Sequence, residues 1–174
     1  MTNRPNYEGM REKAGFRWYV NGAYYSYFAL TGIPIEEVNV NPDAMIELHR
    51  KGRPLFKEMW GEDVGAPGLS TPAISYGHIN ALGADLVFPE GGEVNYTRFC
   101  DTLDDAIEAV SKPVDWANAG RIPFYLEFRE KVREAFPGES VGFSMSVQGP
   151  ITTAYCLRDL HLFTDIYDEP ERTK

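Results

Sequence analysis

The chain has 174 residues, 43% hydrophobic, 13% aromatic and 25% charged, which excludes a disordered or fibrous protein and fits one domain with a sizeable core. A formal net charge of -9 repels a nucleic-acid backbone on average, so no nucleic-acid partner is expected. The polar start Met1–Glu8 lacks the apolar core of a signal peptide and no apolar run is long enough to span a bilayer, so the expected location is the cytoplasm, with no membrane partner.

Residues 6–15 predict a short polar helix closing at Gly15, interrupted at Gly9. Phe16 to Thr31 is dense in aromatics, whose β-propensity predicts strand for at least part of it, with Asn21-Gly22 as a turn. These rings read first as packing and second as an aromatic ligand platform. Asn41-Pro42-Asp43 starts a helix, Asn41 as its N-cap, with Met45, Ile46, Leu55, Phe56, Met59 and Trp60 on the buried face. Gly52 and Pro54 are expected to break or kink it midway. From Leu69 to Leu82 no acidic or basic residue occurs apart from His78, which predicts burial. Ala84–Pro89 reads as a short strand followed by a turn at Glu90-Gly91-Gly92. Thr102-Leu-Asp-Asp105 has the form of a helix cap, with Leu103, Ala106, Ile107 and Val110 as one stripe and an end before Pro113. A longer helix is expected over 121–136, with Ile122, Tyr125, Leu126, Phe128, Val132 and Phe136 inward.

The clearest unit follows. Val141, Phe143, Met145 and Val147 alternate with small or polar residues, a period of two that predicts a strand. Gln148-Gly149-Pro150 stops it, and Ile151, Ala154, Tyr155, Leu157 and Leu160 recur at helical spacing, giving the strand-turn-helix repeat of an α/β protein. Tyr167-Asp-Glu-Pro170 looks like a further helix start within about one turn of Lys174, so the chain is expected to be a truncation or a natural half. Cys100 and Cys156 lack CxxC spacing and read as free thiols in a reducing compartment, a single disulfide being the alternative.

The ordered series Leu30-Thr-Gly32, Asn41-Pro-Asp43, Ala81-Leu-Gly-Ala-Asp85, Val87-Phe-Pro-Glu90, Leu103-Asp-Asp105, Gly149-Pro-Ile-Thr-Thr-Ala154 and Tyr167-Asp-Glu-Pro170 resembles the amino-terminal half of the uroporphyrinogen decarboxylase family. That family includes the decarboxylase and cobalamin-dependent methyltransferases. The resemblance implies an α/β fold, the amino-terminal half of a (β/α)8 TIM barrel with an N-terminal helical and aromatic extension; a whole barrel needs roughly 250 residues. The decarboxylase has an aspartate in the strand before its Ala-Leu-Gly, whereas Leu69 to Leu82 has none. The family's tyrosine after the Gly-x-Pro-x-Thr segment falls at Cys156, with Tyr155 one place off. A porphyrinogen would also need a set of basic pocket residues, and no such set can be located in the sequence. The resemblance therefore implies, first, a corrinoid-dependent methyltransferase acting on a small methylated substrate. The alternatives are uroporphyrinogen decarboxylation and a non-catalytic half-barrel that pairs with itself or with a complementary chain.

The candidate catalytic residue is His78, a proton carrier in a stretch otherwise free of charge, or else a neutral buried histidine. Candidate substrate-binding residues are Arg17, Tyr76, Ser144, Ser146, Gln148 and Tyr155. The serines and Gln148 lie where strands end, which is where α/β folds hold ligands, and packing is the alternative for each. No metal site is expected from this chain alone: Cys156 and His161, five apart on one helix, are turned through about 500° and lie on different sides. Zinc and a corrinoid, with a corrinoid protein as partner, are implied by the resemblance for the complete enzyme.

Overall fold

Val20–Asn21 (β1) and Val64–Gly65 (β2) pair in parallel, Val20 opposite Val64 and Asn21 opposite Gly65, so the chain between them must cross over. The computed structural model describes residues 9, 13, 20–62 and 64–174. The crossover is helical: Tyr24–Thr31 (α1), Ile35–Val40 (α2) and Pro42–Trp60 (α3). Of the expected 6–15 helix only Gly9 and Lys13 are described, both helical, and Phe16, Arg17, Trp18 and Tyr19 lie outside the described residues.

Among the described residues of the aromatic segment, strand is confined to Val20–Asn21, and Tyr24–Thr31 is helix. Tertiary packing overrides β-propensity here, because Tyr24, Tyr27 and Phe28 fall on one side of a helix and pack into the main core. Asn41 caps α3 by accepting from the Asp43 amide, as its sequence demands. Contrary to expectation, α3 runs without a break through Gly52 and Pro54. Gly52 is a contact point: a Cβ there would stand 2.7 Å from Tyr27 Cγ, so its absence lets α1 lie against α3. Leu55, Met59 and Trp60, expected inward, are exposed.

The segment after β2 is extended, then forms Gly77–Leu82 (α4) and an antiparallel hairpin of Leu86–Val87 (β3) and Asn95–Tyr96 (β4), turning at Gly91 with φ 63°. Thr102 and Asp105 exchange the two hydrogen bonds of a capping box at the start of Leu103–Ser111 (α5). Ile122–Ala135 (α6) buries Tyr125, Phe128 and Val132 against α3, but Leu126 is exposed, as is Val110 of α5.

Residues 141–147 run parallel to 69–75, as a strand-turn-helix unit requires, yet they join through isolated bridges only, Ser70 to Gly142 and Ile74 to Met145. Four residues on one side match three on the other. The extra residue is absorbed at Thr71, whose Oγ1 accepts from the Ser144 amide at 2.8 Å in place of a main-chain carbonyl. Next door, Pro72 has no amide to donate. The even alternation of the sequence is thus not expressed as a regular strand. Val141 is buried, while Phe143 and Val147 are exposed.

Pro150–Arg158 (α7) begins at Pro150 as expected. Its buried residues are Cys156, Leu157 and Arg158, and of the residues at helical spacing Ile151, Tyr155 and Leu160 are exposed. Asp159, at φ 57°, ends the helix, and His161–Asp168 (α8) follows. Cys156 and His161 accordingly sit on different helices. Tyr167-Asp-Glu-Pro170 closes α8 and enters a turn, with the Arg172 amide donating to the Glu169 carbonyl, instead of starting a helix. Cys100 and Cys156 are buried free thiols. Among the described residues no helix is long and apolar enough to cross a membrane.

Candidate functional site

A cavity of about 1000 Å³ opens at the carboxyl ends of β1 and β2. Its walls come from the residues after β1 (Gly22 to Tyr25, with Phe28), from Val38 and Asn39 of α2, from the extended run after β2 (Ala66 to Tyr76), from the β3–β4 hairpin (Glu93, Val94) and from Ser144. Crossover connections in α/β folds leave such a crevice outside the strand ends, and a volume of this order suits a ligand of drug size.

The polar side chains of this wall are held by main-chain partners. Tyr24 donates its hydroxyl proton to the Gly68 carbonyl, and the same oxygen lies 3.1 Å from His49 Nε2. Since the tyrosine has only one proton, Nε2 of His49 carries the hydrogen of that contact, and Nδ1, buried without a partner, is left bare, which makes His49 neutral. Burial drives the same result, lowering the His49 pKa to about 4, with the nearby Arg53 adding to the effect. Burial also raises the Tyr24 pKa, so its hydroxyl stays protonated. Ser70 donates to the Thr71 carbonyl, and Thr71 Oγ1 lies 3.5 Å from the Ser144 carbonyl while accepting from the Ser144 amide. Asn39 is buried with its amide nitrogen unpartnered, and its main-chain carbonyl accepts from the Tyr125 hydroxyl at 2.9 Å. Beside the cavity, Asn80 joins α4 to α6 by accepting from the Arg121 amide at 2.7 Å and donating to the Ala84 carbonyl at 2.8 Å.

Of the residues singled out from sequence, Tyr76 and Ser144 line the cavity, and Tyr76 stacks on Tyr96 with ring centroids 4.6 Å apart. His78, Ser146 and Gln148 form a neighbouring group instead. His78 is buried, its Nε2 lies 3.2 Å from Thr153 Oγ1, and Thr153 in turn donates to the Gln148 carbonyl at 3.4 Å. Gln148 Nε2 donates to the carbonyl of Ser75, a cavity residue, and the Ser146 amide donates to the Ile74 carbonyl. Burial lowers the His78 pKa, the Ser146 main chain offsetting part of the effect. Tyr155 is at the surface beside Phe163 and does not line the cavity. Arg17 lies outside the described residues. Among those residues no three of His, Cys, Asp and Glu gather within reach of one metal ion.

Sequence reasoning missed Tyr24, Ser70, Thr71, Ser75 and Glu93. The signal for Ser70 and Thr71 was the uncharged run from Leu69 to Leu82, which marked burial but not which face the hydroxyls take. Tyr24 is one of many rings in a segment whose first reading is packing, and nothing local separates it from the others as a cavity residue.

No family model matches the chain, and no curated protein matches it. Among solved structures the chain is similar to a methyltransferase from Methanosarcina mazei, with a TM-score of 0.56 and 20% sequence identity over 89% of this chain and 43% of that one. The chain thus spans less than half the length of that protein, and at this identity the likeness is one of fold.

Proposed function

We propose that the chain is part of a methyltransferase of the uroporphyrinogen-decarboxylase-like type, the amino-terminal portion of a (β/α)8 barrel, and that its cavity holds a small methylated substrate. The observation that carries this reading is the likeness in fold to the Methanosarcina mazei methyltransferase over 89% of this chain. Two features of the molecule support it. The cavity opens at the carboxyl ends of parallel strands, where barrel enzymes keep their substrates. Its described lining includes no Lys, Arg or His, which disfavours a porphyrinogen bearing several carboxylates.

Tyr76 and Ser144 contact substrate in this reading. His78, Ser146 and Gln148 act from one layer away, fixing the wall through Thr153 and Ser75. A corrinoid would accept the methyl group, and the corrinoid protein and any zinc belong to the complete enzyme; the residues of this chain supply the substrate side. The test is methyl transfer from methylated donors to reduced cobalamin by the product of the whole reading frame, followed by visible absorbance. Turnover that falls at least ~10-fold in Ser144→Val is expected. Carbon dioxide release from uroporphyrinogen by the same protein, without methyl transfer, would overturn the reading.

One observation favours a second reading, a half-barrel that pairs with another chain or with itself. Ile151 (81% exposed), Phe163 (62%) and Tyr167 (86%) leave an apolar face open on α7 and α8, and the Tyr155 and Phe163 rings, 6.3 Å apart, join the two helices into one patch. Sedimentation as a monomer at every concentration would remove the self-pairing form of this reading.

A further inference from the structure

We propose that the cavity selects a methylated ammonium cation, with aromatic faces around the head group and Glu93 balancing its charge. This deepens the reading of the cavity as the methyl-compound site and rests on it. Three independent features point the same way.

The first is charge. Among the described residues lining the cavity, Glu93 is the one charged side chain, and the whole chain carries -9. An anion would enter against both, and a neutral compound would gain nothing from either.

The second is the shape of the aromatic wall. Tyr24, Tyr25, Phe28 and Tyr76 all contribute to the lining, and the Tyr25 and Phe28 rings meet at 77° with centroids 6.2 Å apart. Two rings near a right angle make adjoining walls of a box. Each ring carries negative charge density on its face, and quaternary ammonium groups are recognised by such enclosures. A tetrahedral trimethylammonium group is wide enough to touch several walls at once, which a planar or linear neutral group does not do.

The third is the direction of the hydroxyl protons. Tyr24 spends its proton on the Gly68 carbonyl and Ser70 on the Thr71 carbonyl. Thr71 Oγ1 is turned to the Ser144 main chain. These three hydroxyls therefore have no proton left to give an anionic ligand. At about 1000 Å³ the cavity also has room for a chain bearing the head group, so a ligand such as choline fits the chemistry better than a free small ion.

The experiment compares three ligands of matched shape by calorimetry on the full chain: choline, its neutral isostere 3,3-dimethyl-1-butanol, and the anionic 3,3-dimethylbutyrate. Choline is expected to bind about tenfold more tightly than the neutral isostere, a difference typical of enclosure by several rings, and the carboxylate most weakly. Glu93→Gln and Tyr25→Leu both sit at exposed positions and keep the fold; each is expected to weaken choline several-fold while leaving the neutral isostere nearly unchanged. Raising the salt concentration weakens choline alone. Equal binding of choline and the neutral isostere would overturn the cation proposal and leave the methyl-compound site standing. Tightest binding of the carboxylate would overturn it too, by revealing a positive group in the wall. Binding of none of the three would sink both this proposal and the reading of the cavity on which it rests.

Discussion

The two helical layers of this chain treat their apolar residues differently. Around α1, α3 and α6, the large side chains Tyr27, Leu48, Phe56, Phe128 and Val132 are shut away together, with neutral His49 set among the rings of Tyr24, Tyr27 and Phe136. In α7 and α8 the balance shifts: Leu157 and Leu162 are inside with small Cys156 and charged Arg158, but the larger apolar share, Ile151, Leu160, Phe163 and Tyr167, is outside. The first region is held by packing. The second adds polar contacts to a small apolar cluster around Ile79, Cys100 and Leu157: Arg158 joins α7 to α8 through two hydrogen bonds to Asp165 of 2.6 and 3.0 Å and reaches the body through the Cys100 and Asp101 carbonyls. A region fixed in part by directional polar contacts with its apolar face uncovered has a surface shaped for something beyond these residues, as the proposed partial barrel requires.

The sharpest way to break this contrast is to remove the ion pair. Arg158 and Asp165 are only 7% and 12% exposed, so Arg158→Ala leaves a nearly buried carboxylate and two carbonyls without partners. A loss of about 3–5 kcal/mol in denaturant titration is expected. If α7 and α8 lose no stability, the polar anchor is not what holds them.

Acid should act on the packed region next. The folded His49 pKa of about 4 lies below the ordinary 6.5, so the unfolded chain takes up a proton first as pH falls. Its contribution is fully present above about pH 6.5 and fades toward pH 4, a loss of about 3 kcal/mol. His78, also lowered, works in the same direction. Asp165 behaves differently: its hydrogen bonds to Arg158 lower its pKa below 3.8, so the stability it adds is lost only at lower pH. Stability measured from pH 7 to 4 should therefore fall steeply in the parent chain and more gently in His49→Gln; an unchanged slope in the variant would refute this assignment.

Gly52→Ala probes the same core by steric means. The new methyl would meet the Tyr27 ring at 2.7 Å, and a cost of about 1–3 kcal/mol is expected, net of the helix propensity that alanine gains. A more stable variant would mean that α1 can slide away from α3 freely. The smallest effect belongs to the open face: Ile151→Ser with Phe163→Ser should change stability by less than about 0.5 kcal/mol per site while lowering binding of a hydrophobic dye. A large loss of stability there would mean the face is part of the folded core and the contrast is false.

Local chemistry made several elements legible in the sequence. The Asn41 cap, the Thr102 and Asp105 capping box, Pro150 at the start of α7 and the Gly91 turn each depend on neighbours in the chain, and each is found where its residues place it. Tyr76 and Ser144 were readable as cavity residues for a similar reason, since both follow or occupy extended segments entering a helix.

Long-range partners decided the rest. Periodicity says that α7 has an apolar stripe but not which side meets the body, because a buried Arg158 is favourable only once Asp165 and two carbonyls from the far side of the chain converge on it. The same holds for Gly52, a helix breaker by local propensity and a contact point in the fold. Thr71 replaces a main-chain acceptor across a gap of some seventy residues, which no local pattern encodes. The sequence by itself determined where helices begin and turns fall, since those depend on backbone groups a few residues apart; the tertiary structure alone decided which faces are buried and which side chains meet at the cavity, since burial energy depends on what arrives from elsewhere in the chain.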